Sequence, residues 1–399
     1  MKERMEKGKL VPKELGDGRA FKVRLNGLGI AIAPAASLKI HGVGVESVDK
    51  LSTIPNPRKK DTAPRVGLIM FLLKAWRATA FGVYGYLNFT KNGFMEHSKK
   101  FRPEDMEISI EGKNCMVTGA NSGIGYATAE GLASRGATVY MVCRNKEKGE
   151  AALSKIQSST GNSNVHLEVC DLSSVSEIKS FATRFSSKDV PVHVLINNAG
   201  LLEHKQIITS EGYELNFAVN VLGTYAITES MLPLLEKAAP DARVITVSSG
   251  GMYTTPLTND LQVEFSDENF DGVEQYARNK RVQVALTEKW AEMYKNKGIE
   301  FFSMHPGWAE TPGVAKSLPS FEKKFSGKLR TSEEGADTVI WLALQPKEKL
   351  VSGAFYFDRA EAPKHLMFAD VGFCSWNSLG LNACEDHYQL FNSLYLFAP

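Results

Sequence analysis

Between residues 113 and 366 short runs rich in β-branched residues alternate with stretches of helical character. The runs fall at 115–118, 138–143, 165–169, 192–196, 243–248, 300–305 and 354–356. Strands that alternate with helices pair in parallel, because each return crosses a face of the sheet. The pattern predicts an α/β fold: a doubly wound parallel sheet of seven strands with helices on both faces.

The flanks have a different character. Residues 1–65 lack sustained periodicity and carry Pro, Gly and Lys/Arg throughout, so they are expected to be a largely unstructured basic extension. An apolar run at 28–38 ends in Ala-Pro-Ala-Ala-Ser, as the core of a signal peptide does. The segment before it is too long, however, and contains Glu3, Glu6, Glu14 and Asp17, which argues against targeting. Residues 66–112 lead into the α/β region, and 66–89 are the most apolar and aromatic stretch of the chain. Lys74 and Arg77 interrupt it, so no uncharged run reaches the ~18–20 residues of a membrane span. Two arrangements stay open. One is a helix lying in a membrane surface, with Trp76 and Tyr84 at headgroup depth and both cations snorkelling. The other is a helix packed on the α/β domain or on a partner subunit. Residues 367–399 form a tail, with a short helix expected near 385–390.

Composition adds limits rather than identity. A chain of 399 residues can hold one large α/β domain plus extensions. The formal net charge of +2 offers no case for a nucleic-acid partner, and residues 1–66 hold 14 Lys/Arg against 7 Asp/Glu, so the basic character belongs to the extension. Five cysteines, at 115, 143, 170, 374 and 384, form no CxxC pair. They suit reduced thiols in a reducing compartment, hence a cytoplasmic location with or without membrane association. No His/Cys cluster has ligand spacing, so no metal is expected.

The chemistry starts where the first strand meets a helix. The run 115–118 leads directly into Gly119-Ala-Asn-Ser122-Gly123-Ile124-Gly125. Gly119 permits a tight turn, Gly123 lets backbone approach a pyrophosphate, and Gly125 lets the helix pack on the sheet. The helix N-terminus then offers free N–H groups to phosphate. This placement predicts dinucleotide binding by a Rossmann-type fold. Cofactor choice is expected at the end of the second strand, where an acid would select NAD. Here Cys143 holds that place and Arg144 follows, and a guanidinium can fork onto a 2′-phosphate. NADP(H) is therefore expected over NAD(H), unless Arg144 merely faces solvent.

Taken in order, these pieces resemble the short-chain dehydrogenase/reductase family over about residues 113–358. The motifs are Thr118-Gly119-x-x-x-Gly123-x-Gly125, Asp171-Leu172, Asn197-Asn198-Ala199-Gly200, Asn220-x-x-Gly223, Ser248-Ser249, Tyr276-x-x-x-Lys280 and Pro306-Gly307. Alone, YxxxK is a weak signal; the ordered set is specific. The resemblance implies hydride transfer between NADP(H) and a carbonyl or alcohol. It makes Asn220, Ser249, Tyr276 and Lys280 the catalytic residues, with Ser248 the alternative serine. Tyr276 would be the acid/base, Ser249 would orient the substrate oxygen, Lys280 would hold the ribose, and Asn220 would anchor a relay water. Cofactor contacts carried over are Gly119, Ser122, Gly123, Ile124, Gly125, Arg144, Asp171, Asn198, Ala199, Gly200, Tyr276, Lys280, Pro306, Gly307 and Thr311.

Residues four apart share a helix face, so Lys280 can stand beside the Tyr276 phenol. Its ammonium, with an oxidised nicotinamide, would be expected to draw the phenol pKa down from about 10. The 26 residues between Ser249 and Tyr276 resemble the retinol-dehydrogenase-like branch. That segment and the stretch 308–330 hold Met252, Tyr253, Phe270, Trp308, Leu318 and Phe321, which either line a lipophilic pocket or pack beneath a lid. Relatives form dimers or tetramers, so an oligomer is implied by analogy. Two rivals remain: an NADP(H)-binding regulatory or scaffolding protein with little turnover, and an epimerase or dehydratase on the same scaffold.

Overall fold

The computed structural model describes residues 21–25, 28–32, 63–257 and 270–366, with side chains from residue 74 onward. The expected helix near 385–390 lies outside the described residues. Two compact units divide at Pro64. In the first, β1 (Phe21–Leu25) and β2 (Leu28–Ile32) form an antiparallel hairpin in which Leu25 pairs with Leu28. The aperiodic reading of 1–65 did not anticipate this pairing.

The second unit, from Arg65, holds all but the first two residues of α1 (Ala63–Asn88), and then α2 (Lys91–Ser98). The α/β region follows: β3 (Asn114–Thr118), α3 (Gly123–Ala133), β4 (Thr138–Cys143), α4 (Lys146–Thr160), β5 (Val165–Val169), α5 (Val175–Ser186) and β6 (Val194–Asn197). Next come α6 (Leu215–Phe217), which widens into a π turn over Ala218–Gly223, and α7 (Thr224–Ala238). The remainder is β7 (Ala242–Val247), α8 (Gly272–Met293), β8 (Ile299–His305), α9 (Pro312–Ser317), α10 (Pro319–Lys324), α11 (Ser332–Leu344), β9 (Phe355–Phe357) and β10 (Ala360–Glu361).

The sheet order is β10-β9-β8-β7-β6-β3-β4-β5, parallel except for the β9/β10 pair. The sheet has eight strands rather than the expected seven. The extra one is β10, a two-residue antiparallel edge too short and too polar to show in the pattern. Its turn places Asp358 at φ 47° and Arg359 at φ 58°, the left-handed pair of a two-residue hairpin. That backbone is unfavourable for side chains other than Gly. Ion pairs hold it: Arg359 to Asp337 at 2.5 Å, and Arg330 to Asp358 at 2.5 and 2.9 Å.

Strand alternation builds a core on each face. Met116, Leu195 and Phe301 point toward Phe181, Phe185, Tyr225 and Trp290. Val117, Ile196 and Phe302 point toward Leu132, Val339 and Trp341. A third cluster fastens the chain that precedes the domain. Phe89, just beyond α1, is buried with Met252, Tyr253, Phe355 and Phe357. Gly85 lies so close to Trp308 that a Cβ would sit 2.5 Å from the indole. Met252 and Tyr253 are fully buried here, which answers for those two the choice between pocket lining and packing.

Arg330 is the centre of this junction. It is buried, donates to the Phe89 carbonyl at 3.0 Å and the Asn88 carbonyl at 2.8 Å, and pairs with Asp358. Asp358 also meets His97 of α2 at 2.6 Å. Arg330→Met would strand a buried carboxylate and two carbonyls. Breaking a buried pair from one side costs about 3–5 kcal/mol. Denaturant unfolding of this variant should show a loss of that size, and a loss below about 1 kcal/mol would contradict the role given to Arg330.

Candidate active site

The sheet order reverses between β3 and β6, and a crevice for ligands opens outside the carboxyl ends of such strands. Thr118 ties the two ends together. Its hydroxyl accepts from the backbone N–H groups of Asn198 and Ala199, each at 3.0 Å, while the Asn198 amide donates to the Thr118 carbonyl at 2.8 Å.

The glycine turn is packed as its spacing predicts. Gly119 has φ 66° and Gly123 φ 57°, both left-handed. A Cβ on Gly125 would stand 2.3 Å from the Gly119 carbonyl oxygen and 2.4 Å from the Asn198 amide nitrogen, which only glycine tolerates. Ser122 takes the N-cap position of α3 in extended conformation, without a capping side-chain bond. The first-turn N–H groups of α3 therefore remain available to a phosphate. Ile124 packs against Gly335 at the start of α11. This cradle fits a dinucleotide.

At the far end of the cradle, Cys143 is buried, and burial pushes its thiol up to about 11 against the pull of the Ala120 and Asn121 N–H groups. No acid stands in its place. Arg144 is 65% exposed and lies 3.8 Å from Asp171, a loose contact that leaves the guanidinium free to turn. The Asp171 carboxylate accepts from the Ser173 N–H at 2.9 Å and its hydroxyl at 2.8 Å.

Tyr276 and Lys280 share a face of α8, with the ammonium 5.5 Å from the phenol ring centre. The two adjacent serines separate in function. Ser248 donates to the Lys280 carbonyl at 2.8 Å, whereas Ser249 is hydrogen-bonded to the Tyr276 hydroxyl. Lys280 donates to the Val247 carbonyl at 2.8 Å and to Gln283 Oε1 at 3.0 Å. Gly200 comes within 3.3 Å of the Lys280 Nζ, measured from where its Cβ would stand, and Gly119 comes within 3.0 Å of the Ala199 Cα on the same basis. The cradle and the Tyr-Lys pair are therefore contiguous.

Asn220 lies in the π turn, a widening of the helix often found at functional sites. Its side chain is held by the neighbouring loop: Nδ2 donates to the Leu201 carbonyl at 2.8 Å and Oδ1 accepts from the Leu201 N–H at 2.9 Å. Its own carbonyl accepts from Gln283 at 2.6 Å. Gln283 escaped the sequence reading. Its one signal was a polar residue three places beyond Lys280, on the buried face of an amphipathic helix.

One expectation is reversed. Burial pushes the Tyr276 phenol up to about 12, with the Ser249 bond pulling the other way, and it lowers Lys280 to about 7. The cause is desolvation, which penalises the charged form of each group. Lys280 does not offset the burial of the phenol. His305, also missed, is buried and held neutral by burial and then by Arg330 and Lys280; its Nδ1 accepts from the Gly250 N–H at 2.9 Å.

Pro306-Gly307 begins the loop to α9, with Gly307 at φ 79° against Arg330. Thr311 caps α9, accepting from the Val314 N–H at 3.2 Å, and its Cβ stands 3.3 Å from where a Gly123 Cβ would lie. Three polar contacts fasten α9 to the loop beyond Gly200: Lys316 to Glu203 at 2.5 Å, Ser317 to the Leu202 carbonyl at 2.8 Å, and His204 to the Ser317 carbonyl at 2.5 Å.

Known proteins bear out this architecture. Residues 113–259 match the short chain dehydrogenase family. Dehydrogenase/reductase SDR family member 12 of Bos taurus is 46% identical over 296 residues, covering 74% of this chain and 92% of that protein. Retinol dehydrogenase 11 of Homo sapiens is 35% identical over 256 residues, 63% of this chain and 79% of that one. Among solved structures, the Pseudomonas aeruginosa RhlG/NADP complex superposes with a TM-score of 0.52 at 22% identity, covering 64% of this chain and 96% of that one. A Brucella melitensis 3-ketoacyl-(acyl-carrier-protein) reductase complexed with NADH gives 0.50 at 23%, covering 62% and 96%. Those two share the fold while differing in cofactor. With the glycine cradle, the Tyr-Lys pair and these likenesses in hand, the chain belongs to the short-chain dehydrogenase/reductase family of oxidoreductases.

Proposed function

We propose that the protein is an NADP(H)-dependent oxidoreductase that moves a hydride between nicotinamide and a carbonyl or alcohol, with Tyr276 as acid/base. The observation that carries this reading is the convergence of Ser249, Tyr276 and Lys280 beside the glycine cradle. Gly119, Ser122, Gly123, Ile124 and Gly125 would hold the pyrophosphate, and Arg144 the 2′-phosphate, with Asp171 near the adenine. Asn198, Ala199 and Gly200 would line the ribose side, and Pro306, Gly307 and Thr311 the carboxamide. When bound, the cofactor supplies the hydride and, in its oxidised form, a positive charge. Tyr276 gives its proton to the carbonyl oxygen in reduction, while Ser249 donates to and orients that oxygen. A phenol pushed up to about 12 is protonated at neutral pH, the form that reduction needs. Lys280 has three N–H donors and spends two on the protein, leaving one for a ribose hydroxyl.

Two further elements belong to this reading. A lipophilic substrate is supported by the half-buried Trp308, Leu318 and Phe321 around the lid and by the likeness to retinol dehydrogenases. Peripheral membrane contact through residues 66–89 is supported by the outer face of α1, where Trp76, Val83, Tyr86 and Leu87 are exposed. Among the described residues no helix is long and apolar enough to cross a membrane. Lys74 does not snorkel; it pairs with Glu274 of α8 at 2.8 Å.

Three measurements bear on these points. Tyr276→Phe should keep cofactor affinity while turnover falls at least about a hundredfold, the scale of a lost acid/base; retained turnover would remove Tyr276 from the role. Arg144→Ala should weaken NADPH about tenfold or more with little change for NADH, as loss of a charge-assisted fork would; equal losses for both cofactors would return Arg144 to the solvent. In flotation with vesicles, the full chain should rise and a Trp76→Ser/Val83→Ser/Leu87→Ser variant should not, whereas equal partition would end the membrane assignment.

A further inference from the structure

The π turn, Lys280 and α8 meet through one side chain that the family motifs do not include. Gln283 is fully buried, one turn beyond Lys280. Its Oε1 accepts from the Lys280 ammonium at 3.0 Å; its Nε2 donates to the Asn220 carbonyl at 2.6 Å and to the Thr224 hydroxyl at 3.2 Å. The amide orientation follows from chemistry. Reversed, it would set an NH2 against an ammonium and an oxygen against a carbonyl. Both Nε2 hydrogens and the oxygen thus have partners of the right sense.

The Asn220 carbonyl accepts both this amide and the Thr224 hydroxyl, the latter at 3.0 Å. The Asn220 side chain is turned toward Leu201 and makes one bond at each end of its amide there. We propose that Gln283 is a positioning residue for Lys280: its amide joins the ammonium directly to the π turn and favours its charged form against burial.

The electrostatics agree. Lys280 is lowered to about 7 by burial alone. The titratable groups facing it are Tyr276 on the same helix and His305 from β8, and both sit neutral. What favours the charged form is thus a pair of oxygen dipoles, those of Val247 and Gln283. An amide does not ionise near neutral pH, so the bridge holds the lysine without taking its proton.

The proposal rests on Lys280 as the ribose-holding residue, so its test reads the lysine itself. In the cofactor-free protein carrying [ε-13C]lysine, the Lys280 signal is identified by its loss in Lys280→Met, and its titration is followed by NMR. Gln283→Leu should lower the Lys280 pKa by about one unit or more, and Gln283→Glu, the same length but charged, should raise it by a similar amount. Coincident titrations in the three proteins would overturn the proposal. Gln283→Glu alone decides the matter if the leucine variant does not fold. In the holoenzyme, the limb of the pH–rate profile that follows Lys280 should move with the NMR value in each variant. Absence of turnover in the unaltered protein would refute the oxidoreductase reading while leaving the NMR result to stand or fall by itself.

Discussion

Desolvation of a single ammonium governs the layout of the site. Lys280 is buried on α8, and no carboxylate among the described residues offsets its burial. Charge in such surroundings survives only where fixed dipoles face it. The end of β7 supplies the Val247 carbonyl, and the next turn of α8 supplies Gln283. Gln283 in turn needs an acceptor for its amide, and the π turn provides one by exposing the Asn220 carbonyl that a regular helix would have used. Ser248 completes the frame by binding the Lys280 carbonyl, which leaves Ser249 to meet Tyr276. Sheet, helix and turn are thus set by what one cation requires.

The parallel sheet and the glycine cradle were legible in the sequence because each depends on local rules. β-Branched runs mark β3, β4 and β5, the glycines at 119 and 123 hold left-handed backbone, and Gly125 sits where a Cβ would collide. The ordered motifs placed Tyr276, Lys280 and Ser249 together. What stayed hidden depends on tertiary environment. The rise of Tyr276 and the fall of Lys280 come from burial, which spacing does not report. Gln283 and His305 act through neighbours distant in sequence, and β10 is too short to carry a period. Met252 and Tyr253 looked equally suited to pocket or core; only the packing of Phe89 and Phe355 against them decides it.

The stretch before the α/β region is less of an appendage than its composition suggests. α1 ends in two carbonyls, those of Asn88 and Phe89, that a buried guanidinium from the loop before α11 takes up. Phe89 then stands edge-on to His305 at 4.2 Å and to Trp308 at 5.9 Å, beside the Pro306-Gly307 turn. The same helix that turns an apolar face outward is built into the wall behind the loop at 306–311. The two arrangements left open by the sequence, packed helix and surface-seeking helix, are therefore compatible on opposite faces.

The clasp between α9 and the loop at 202–204 has a kinetic meaning. Lys316, Ser317 and His204 join α9 to the loop that follows β6 and carries Asn198 and Gly200. Moving α9 away from that loop parts three polar contacts, each replaceable by water at small net cost. On the proposed function, residence time at the site would follow the lifetime of this fastening, so that release rather than chemistry would set the pace.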